Sequence, residues 1–149
     1  MNPSGEGSAP HDAWRHLLDA YRSTAYSVLS TPPFTLWIDR HSEELAKLYA
    51  VSGVTSAAFI TAWNPYSKSL SHAENTARNE ALTAALREAG LTNIVPGLGE
   101  DPSGEWPGEE SVLVLGITRE FGRALSTRFQ QNAFVWAGSD AKPELVITV

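Results

Sequence analysis

The chain has no cysteine among its 149 residues. Disulfides, thiolate nucleophiles and cysteine-ligated zinc are therefore excluded. That absence fits a reducing cytoplasm, the expected location. Basic residues are few: 11 Lys and Arg stand against 17 Asp and Glu, a formal net charge of −6. A protein that tracks a nucleic-acid backbone needs clustered Lys and Arg, so no nucleic-acid partner is expected. No apolar run approaches the roughly 18 residues that span a bilayer, and no membrane association is expected. The opening MNPSGEGSAP has neither a basic stretch nor an apolar core and reads as lacking a signal peptide. Gly97-Leu98-Gly99 lacks the third glycine of a dinucleotide loop, and no G-x-x-x-x-G-K-[ST] occurs. His11, His16, His41 and His72 form no ligand pair at helical spacing. Neither metal nor cofactor is expected.

What is present is ordinary globular composition, with 42% hydrophobic and 19% charged residues. The length suits one domain. Residues 1–10 are rich in Pro, Gly and Ser and read as a disordered tail, leaving a single α+β domain at 11–149. Its first unit, 11–31, is an N-terminal helix capped near Asp12 and running to about Leu29. Trp14, Leu17, Leu18, Tyr21, Ala25 and Val28 recur at helical spacing, and Pro32-Pro33 closes the segment.

A strand–helix unit follows. FTLWI (34–38) reads as a strand, and Ser42 caps a helix with Glu43 and Glu44 in its first turn and Gly53 at its end. SAAFITAW (56–63) is apolar on both faces, which predicts a central strand covered on both sides. Ser71 and Glu74 make a capping box for the next helix, whose stripe is Leu82, Ala85, Leu86 and Ala89 and whose stop is Gly90. Thr92–Val95 reads as a brief strand and 96–110 as a long irregular loop. VLVLGI (112–117) is a strand. Thr118 caps a helix to about Gln131, with Phe121, Ala124, Leu125 and Phe129 inward. Strands at 134–137 and 145–149 complete the chain. The central order strand, helix, strand, strand, helix, strand predicts a ferredoxin-like (split βαβ) core with a mixed sheet. The N-terminal helix and the preceding strand–helix unit are additions to it.

One corner stands out. Extending the Leu82/Leu86 stripe toward the start of its helix reaches Asn79 and Arg78, then Asn75. The strand before it delivers Asn64 at its C-terminal end, where ligands bind in open sheets. An Arg fork with amides beside a helix N-terminus can hold a carboxylate or phosphate. The same residues equally suit an internal latch, in which the amides tie down loop 65–71 and Arg78 pairs with an acid from 100–110. That acidic loop holds Glu100, Asp101, Glu105, Glu109 and Glu110 without a basic residue, and it reads as a solvated turn pinned by Trp106 or as a lid. Ser67, Ser69 and Ser71 near His72 read as turn and cap residues. Phe59, Trp63, Phe134 and Trp136 could share a sheet face and read as core. Gln131 and Asn132 read as C-capping amides, of interest only if folding brings them near Asn64 or Arg78.

AFITAWNP, ENTARNEAL, PGLGEDPSGEWPGEES, LVLGI and RFQQNAFVWAG occur in this order. Together they resemble the bacterial domain-of-unknown-function family 3293, over roughly Phe34 to the C-terminus (34–149). The resemblance implies a small bacterial protein and transfers no catalytic residue. The family pattern has Gly where this chain has Gln130, so a left-handed backbone there would strain this chain. The expected function is a non-catalytic binding or regulatory module for a small anionic ligand or a protein partner. Its candidate site residues are Asn64, Asn75, Arg78, Asn79, Asp101, Trp106 and Glu110. The alternative is a small enzyme on an anionic or nucleotide-like substrate, with Arg78 binding the anion and Asp101 or Glu110 as acid or base. Assembly is a monomer or a homodimer, depending on whether the Trp14, Leu18, Tyr21 stripe is covered.

Overall fold

The computed structural model describes residues 10–149. Helix α1 (Pro10–Ser23) is followed by strands β1 (Ala25–Val28) and β2 (Phe34–Leu36), helix α2 (Glu43–Ser52) and strand β3 (Ala57–Ile60). A 3₁₀ turn (Pro65–Ser67) leads to helix α3 (His72–Glu88) and strands β4 (Ile94–Glu100) and β5 (Glu109–Leu115). Helix α4 (Arg119–Arg128) and strands β6 (Ala133–Ala137) and β7 (Glu144–Ile147) end the chain. The expected tail lies outside the described residues except for Pro10. Helix α1 starts at Pro10, ahead of the expected cap at Asp12.

The strands form one seven-stranded sheet in the order β2-β1-β4-β5-β3-β6-β7. Every pairing among the described residues is antiparallel, which corrects the expected mixed sheet. The physical reason lies in the crossovers. Strands β3 and β4 run parallel, but β5 lies between them; β5 and β6 run parallel, but β3 lies between them. The helical connections thus each skip one strand, and parallel neighbours never touch.

Both faces of the sheet are covered. Alternation in β3 sends Phe59 to one side and Ala58 and Ile60 to the other, and all four strand residues are buried. Phe59 joins Leu113 and Val135 with Tyr21 of α1 and Leu45 and Tyr49 of α2. Ile60, Val114 and Phe134 pack against Leu82 and Leu86 of α3 and Leu125 and Phe129 at α4. Phe59 and Phe134 therefore lie on opposite faces, so the sheet aromatics do not form one platform. The caps are as the sequence implies. Ser42 Oγ accepts from Leu45 N at 3.1 Å and Thr118 Oγ1 from Phe121 N at 3.1 Å. The capping box joins Ser71 and Glu74, and Gly53 and Gly90 are left-handed at φ 69° and 83°.

Three further expectations fail. The first helix stops at Ser23 rather than near Leu29. The Ser23 and Thr24 hydroxyls donate back to the Asp19 and Ala20 carbonyls at 2.9 and 2.6 Å, and Tyr26 and Val28 then follow strand period. Spacing alone hides this change, because Ala25 and Val28 also continue the helical stripe. The 96–110 segment is largely not a loop. Residues 94–100 form a strand paired to both β1 and β5, leaving only a turn between Glu100 and Glu109. Pro and Gly suggested irregularity, but Gly97 is there for packing: a Cβ on it would lie 2.6 Å from the Phe59 ring and 3.1 Å from the Ser27 carbonyl. Lastly, Ala89 and Ala124 are exposed rather than inward.

The Phe59 ring, stacked edge-on against Tyr26 at 5.2 Å, has no room to retreat. Gly97→Ala is therefore expected to cost about 1–3 kcal/mol by overpacking. Urea denaturation should show it, and an unchanged midpoint would contradict this packing.

Candidate functional site

Asn64, Asn75, Arg78 and Asn79 do meet, where β3 ends and α3 begins. Asn75 is buried at 1% exposure, and its amide closes the loop between them. Its Oδ1 accepts from Asn64 N at 2.8 Å, and its Nδ2 donates to Asn64 Oδ1 at 2.7 Å. Asn64 Oδ1 also accepts from Leu70 N at 3.1 Å, so the expected tethering of loop 65–71 is present. Asn79 holds the strand end itself. Its Oδ1 accepts from Ala62 N at 2.8 Å, and its Nδ2 donates to the Glu110 carbonyl at 2.9 Å. Buried Thr61 donates to that same carbonyl at 2.6 Å. These amides satisfy main-chain groups left over where β3 leaves the ladder.

Arg78 reaches further. Nε donates to the Ala62 carbonyl at 2.7 Å, and one terminal nitrogen donates to the Phe129 carbonyl just past α4. The other terminal nitrogen faces Gln130 Oε1 at 3.4 Å, a long and exposed contact. Every acceptor is neutral. The expected acidic partner from 100–110 is not there, and Arg78 forms no ion pair among the described residues. Partial burial lowers its pKa below the ordinary arginine value, with no carboxylate opposing the shift.

The backbone around this guanidinium is strained. Asn64, Tyr66, Ser67 and Gln130 take φ values of 46°, 48°, 63° and 60°. Left-handed non-glycine residues cost of order 1–3 kcal/mol each and persist only where surroundings hold them. Here the surroundings are specific: Tyr66 N donates to the Gln130 carbonyl at 2.8 Å, and Gln130 N donates to the Thr127 carbonyl at 3.1 Å. The strain expected of Gln130 is thus present. Tyr66 remains 52% exposed at the tip of the turn. Gln131 and Asn132 also belong here, since Gln131 Nε2 donates to the Trp63 carbonyl at 3.1 Å and Asn132 Nδ2 lies 3.5 Å from Ser67 Oγ.

The remaining candidates are divided. Glu110 contributes its carbonyl, while its side chain lines a shallow groove with Thr76, Asn79, Glu80 and Arg87. Asp101 and Trp106 line a different cleft of about 160 Å³, against His16, Asp19 and Ala20 of α1. The Asp101 carboxylate is engaged by its own turn, accepting from Ser103 Oγ and N at 2.7 and 2.9 Å and from Glu105 N at 2.9 Å. The Ser103 hydroxyl above all holds Asp101 below its usual pKa. Glu109, expected in a solvated loop, is 4% exposed at the start of β5. It sits near Tyr21, whose hydroxyl is raised well above the tyrosine range, chiefly by burial; Asn132 opposes the shift and the Glu109 charge adds to it. Tyr66, Ser67, Gln130 and Glu109 escaped the sequence reading of the site. Only Gln130 carried a signal in the sequence, through the strain that a left-handed backbone would place on it.

The fold is that of a small three-layer α+β protein, with a hydrogen-bonded polar corner around the Arg78 guanidinium, which forms no ion pair among the described residues. Among the described residues no group of three or more His, Asp or Glu is placed to hold a metal, and no helix is long and apolar enough to cross a membrane. The chain belongs to DUF3293, a family described as protein of unknown function, whose model matches residues 60–134. That span is shorter than the expected Phe34 to C-terminus, but it contains the whole corner, from the end of β3 through Asn132. No curated protein and no solved structure matches the chain.

The Asp101 turn has a defined pH dependence. Its folded pKa is depressed, so its contribution is complete above the ordinary aspartate value and is lost as pH falls through the lowered one. The Ser103 and Glu105 amide resonances should titrate with a midpoint below 3.8. A midpoint at or above that value would show the turn bonds to be unformed.

Proposed function

We propose that this protein is a non-catalytic binding module whose ligand is a small oxyanion, held at the Arg78 corner. One observation carries the reading. Arg78 is a partly buried cation fixed by two main-chain carbonyls and paired with no acid. Two anchored N–H groups set the plane of the guanidinium in advance, and the terminal nitrogen on the Gln130 side is engaged only weakly. A carboxylate or phosphate supplies the missing charge with bonds about twice as strong as neutral ones. Fixing the fork beforehand lowers the ordering cost of binding. A ferredoxin-like reading of β3–α3–β4–β5–α4–β6 is supported by the spatial order β4-β5-β3-β6 and by α3 and α4 sharing one face.

The catalytic alternative draws little from the site. Asp101 lies in another cleft and is engaged in its own turn, whose bonds lower its pKa and so make it a weaker base, further from the pKa that suits general acid–base work near neutrality. A protein partner bearing an exposed carboxylate would use the same corner and is an outcome of the test.

The test is a thermal-shift screen over inorganic phosphate, phosphorylated metabolites and dicarboxylates, followed by NMR mapping on the wild-type chain. Stabilisation by an anion, with shifts centred on Arg78 Nε and residues 64–67, is expected. A response to anions confined to other surfaces would refute the assignment. Silence toward every small anion, with binding of a carboxylate-bearing protein at this corner, would replace the small ligand by a partner.

A further inference from the structure

Gln130 is the one strained residue of the corner whose side chain also reaches the guanidinium. Its backbone is left-handed at φ 60°, a conformation that glycine adopts without strain. Main-chain bonds lock it there from both sides, through Thr127 and Tyr66. Those bonds use only the backbone and would serve a glycine equally well. What a glycine would lack is the amide, and that amide is placed beside Arg78. Oε1 lies 3.4 Å from the Arg78 terminal nitrogen, too far for a strong bond, and the contact is exposed. The amide nitrogen Nε2 donates to no group among the described residues. The side chain therefore stabilises the free protein little, yet it stands on a strained backbone position that glycine would fill without strain.

We propose that Gln130 is a ligand-binding residue, donating Nε2–H to an oxyanion that sits against the terminal nitrogen of Arg78. This rests on the Arg78 reading above and adds the second arm of the cradle. In the free protein Oε1 stands in for the ligand oxygen. When an oxyanion arrives it displaces Oε1, and rotation about the terminal torsion, which has two broad and nearly equivalent wells, turns Nε2 toward it. The site then offers a charged donor and a neutral donor from different elements, α3 and the end of α4, to a single carboxylate or phosphoryl group. A lone halide, with one centre, gains less from two converging donors than a planar or tetrahedral oxyanion does.

The experiment uses the full chain, inorganic phosphate as probe, and two variants read by NMR titration and thermal melting. Gln130→Gly relieves the strain and removes the amide, whereas Gln130→Ala removes the amide and keeps the strain. Both are expected to bind phosphate about tenfold more weakly, the effect of one lost charge-assisted bond. Only Gln130→Gly is expected to melt at a higher temperature than wild type. A purely structural residue would not separate stability from affinity in this way. If both variants bind phosphate as wild type does, with shifts still centred on Arg78 Nε, Gln130 is not a ligand and the Arg78 site stands without it. If wild type shows no shift at Arg78 with tens of millimolar phosphate, the Arg78 site itself fails and the inference falls with it.

Discussion

The Arg78 guanidinium ties two separate stretches of main chain to one helix. From the first turns of α3 it holds the Ala62 carbonyl beyond β3 and the Phe129 carbonyl beyond α4. Both carbonyls are served by side chains: Ala62 by Arg78, and Phe129 by Arg78 and by Gln131 Nε2 at 3.2 Å. Hydrogen bonds to a charged group contribute about 1.5–3 kcal/mol each, the same order as the cost of one left-handed residue. Arg78 thus adds to the main-chain and Asn75 bonds that hold the bent chain at Asn64, Tyr66, Ser67 and Gln130. Asn75 and Asn79 complete the arrangement by satisfying Asn64 N and Ala62 N, the two amides next to the bend.

The three-layer architecture is what brings these parts together. Two crossovers that each skip a strand place β3 between β5 and β6. The end of β3 therefore adjoins both the start of β5, which supplies the Glu110 carbonyl, and the approach to β6, which supplies Gln130 and Gln131. Close packing fixes the spacing. Glycines at 97 and 122 let the Phe59 and Phe134 rings lie almost against the backbone on opposite faces, and a Cβ at either would come within 2.6 Å of a ring. A polar corner that relies on bonds between separate elements needs a core that does not shift.

Much of this was legible in the sequence, and the limits are instructive. Capping residues act over three or four positions, so Ser42, Ser71 and Thr118 announced their helices correctly. The apolar alternation of β3 announced a strand buried on both faces. The cluster followed from helical period for Asn75, Arg78 and Asn79 and from the end of the preceding strand for Asn64. What could not be read locally was anything set by distant partners. Gly97 marks a strand only because Phe59, far away in sequence, needs its space. Ala25 and Val28 fit helix and strand period alike, and the hydroxyls of Ser23 and Thr24 decide between them. The Arg78 partners, Phe129 and Gln130, are about fifty residues away, so the expectation of an acidic partner was reasonable and wrong. Strand neighbours, likewise, depend on crossover path rather than on element order, which is why the sheet is antiparallel rather than mixed.

The central claim is that Arg78 is a fixed cation without a carboxylate, and its Nε–H resonance reports both properties. Held on the Ala62 carbonyl, that proton should exchange with water more slowly than the Nε–H of exposed Arg87. With no acid beside it, its nitrogen shift should stay level as pH is taken from neutrality to about 4, where carboxylates protonate. A shift that titrates with a carboxylate midpoint, or an Nε–H that exchanges as fast as that of Arg87, would contradict the account.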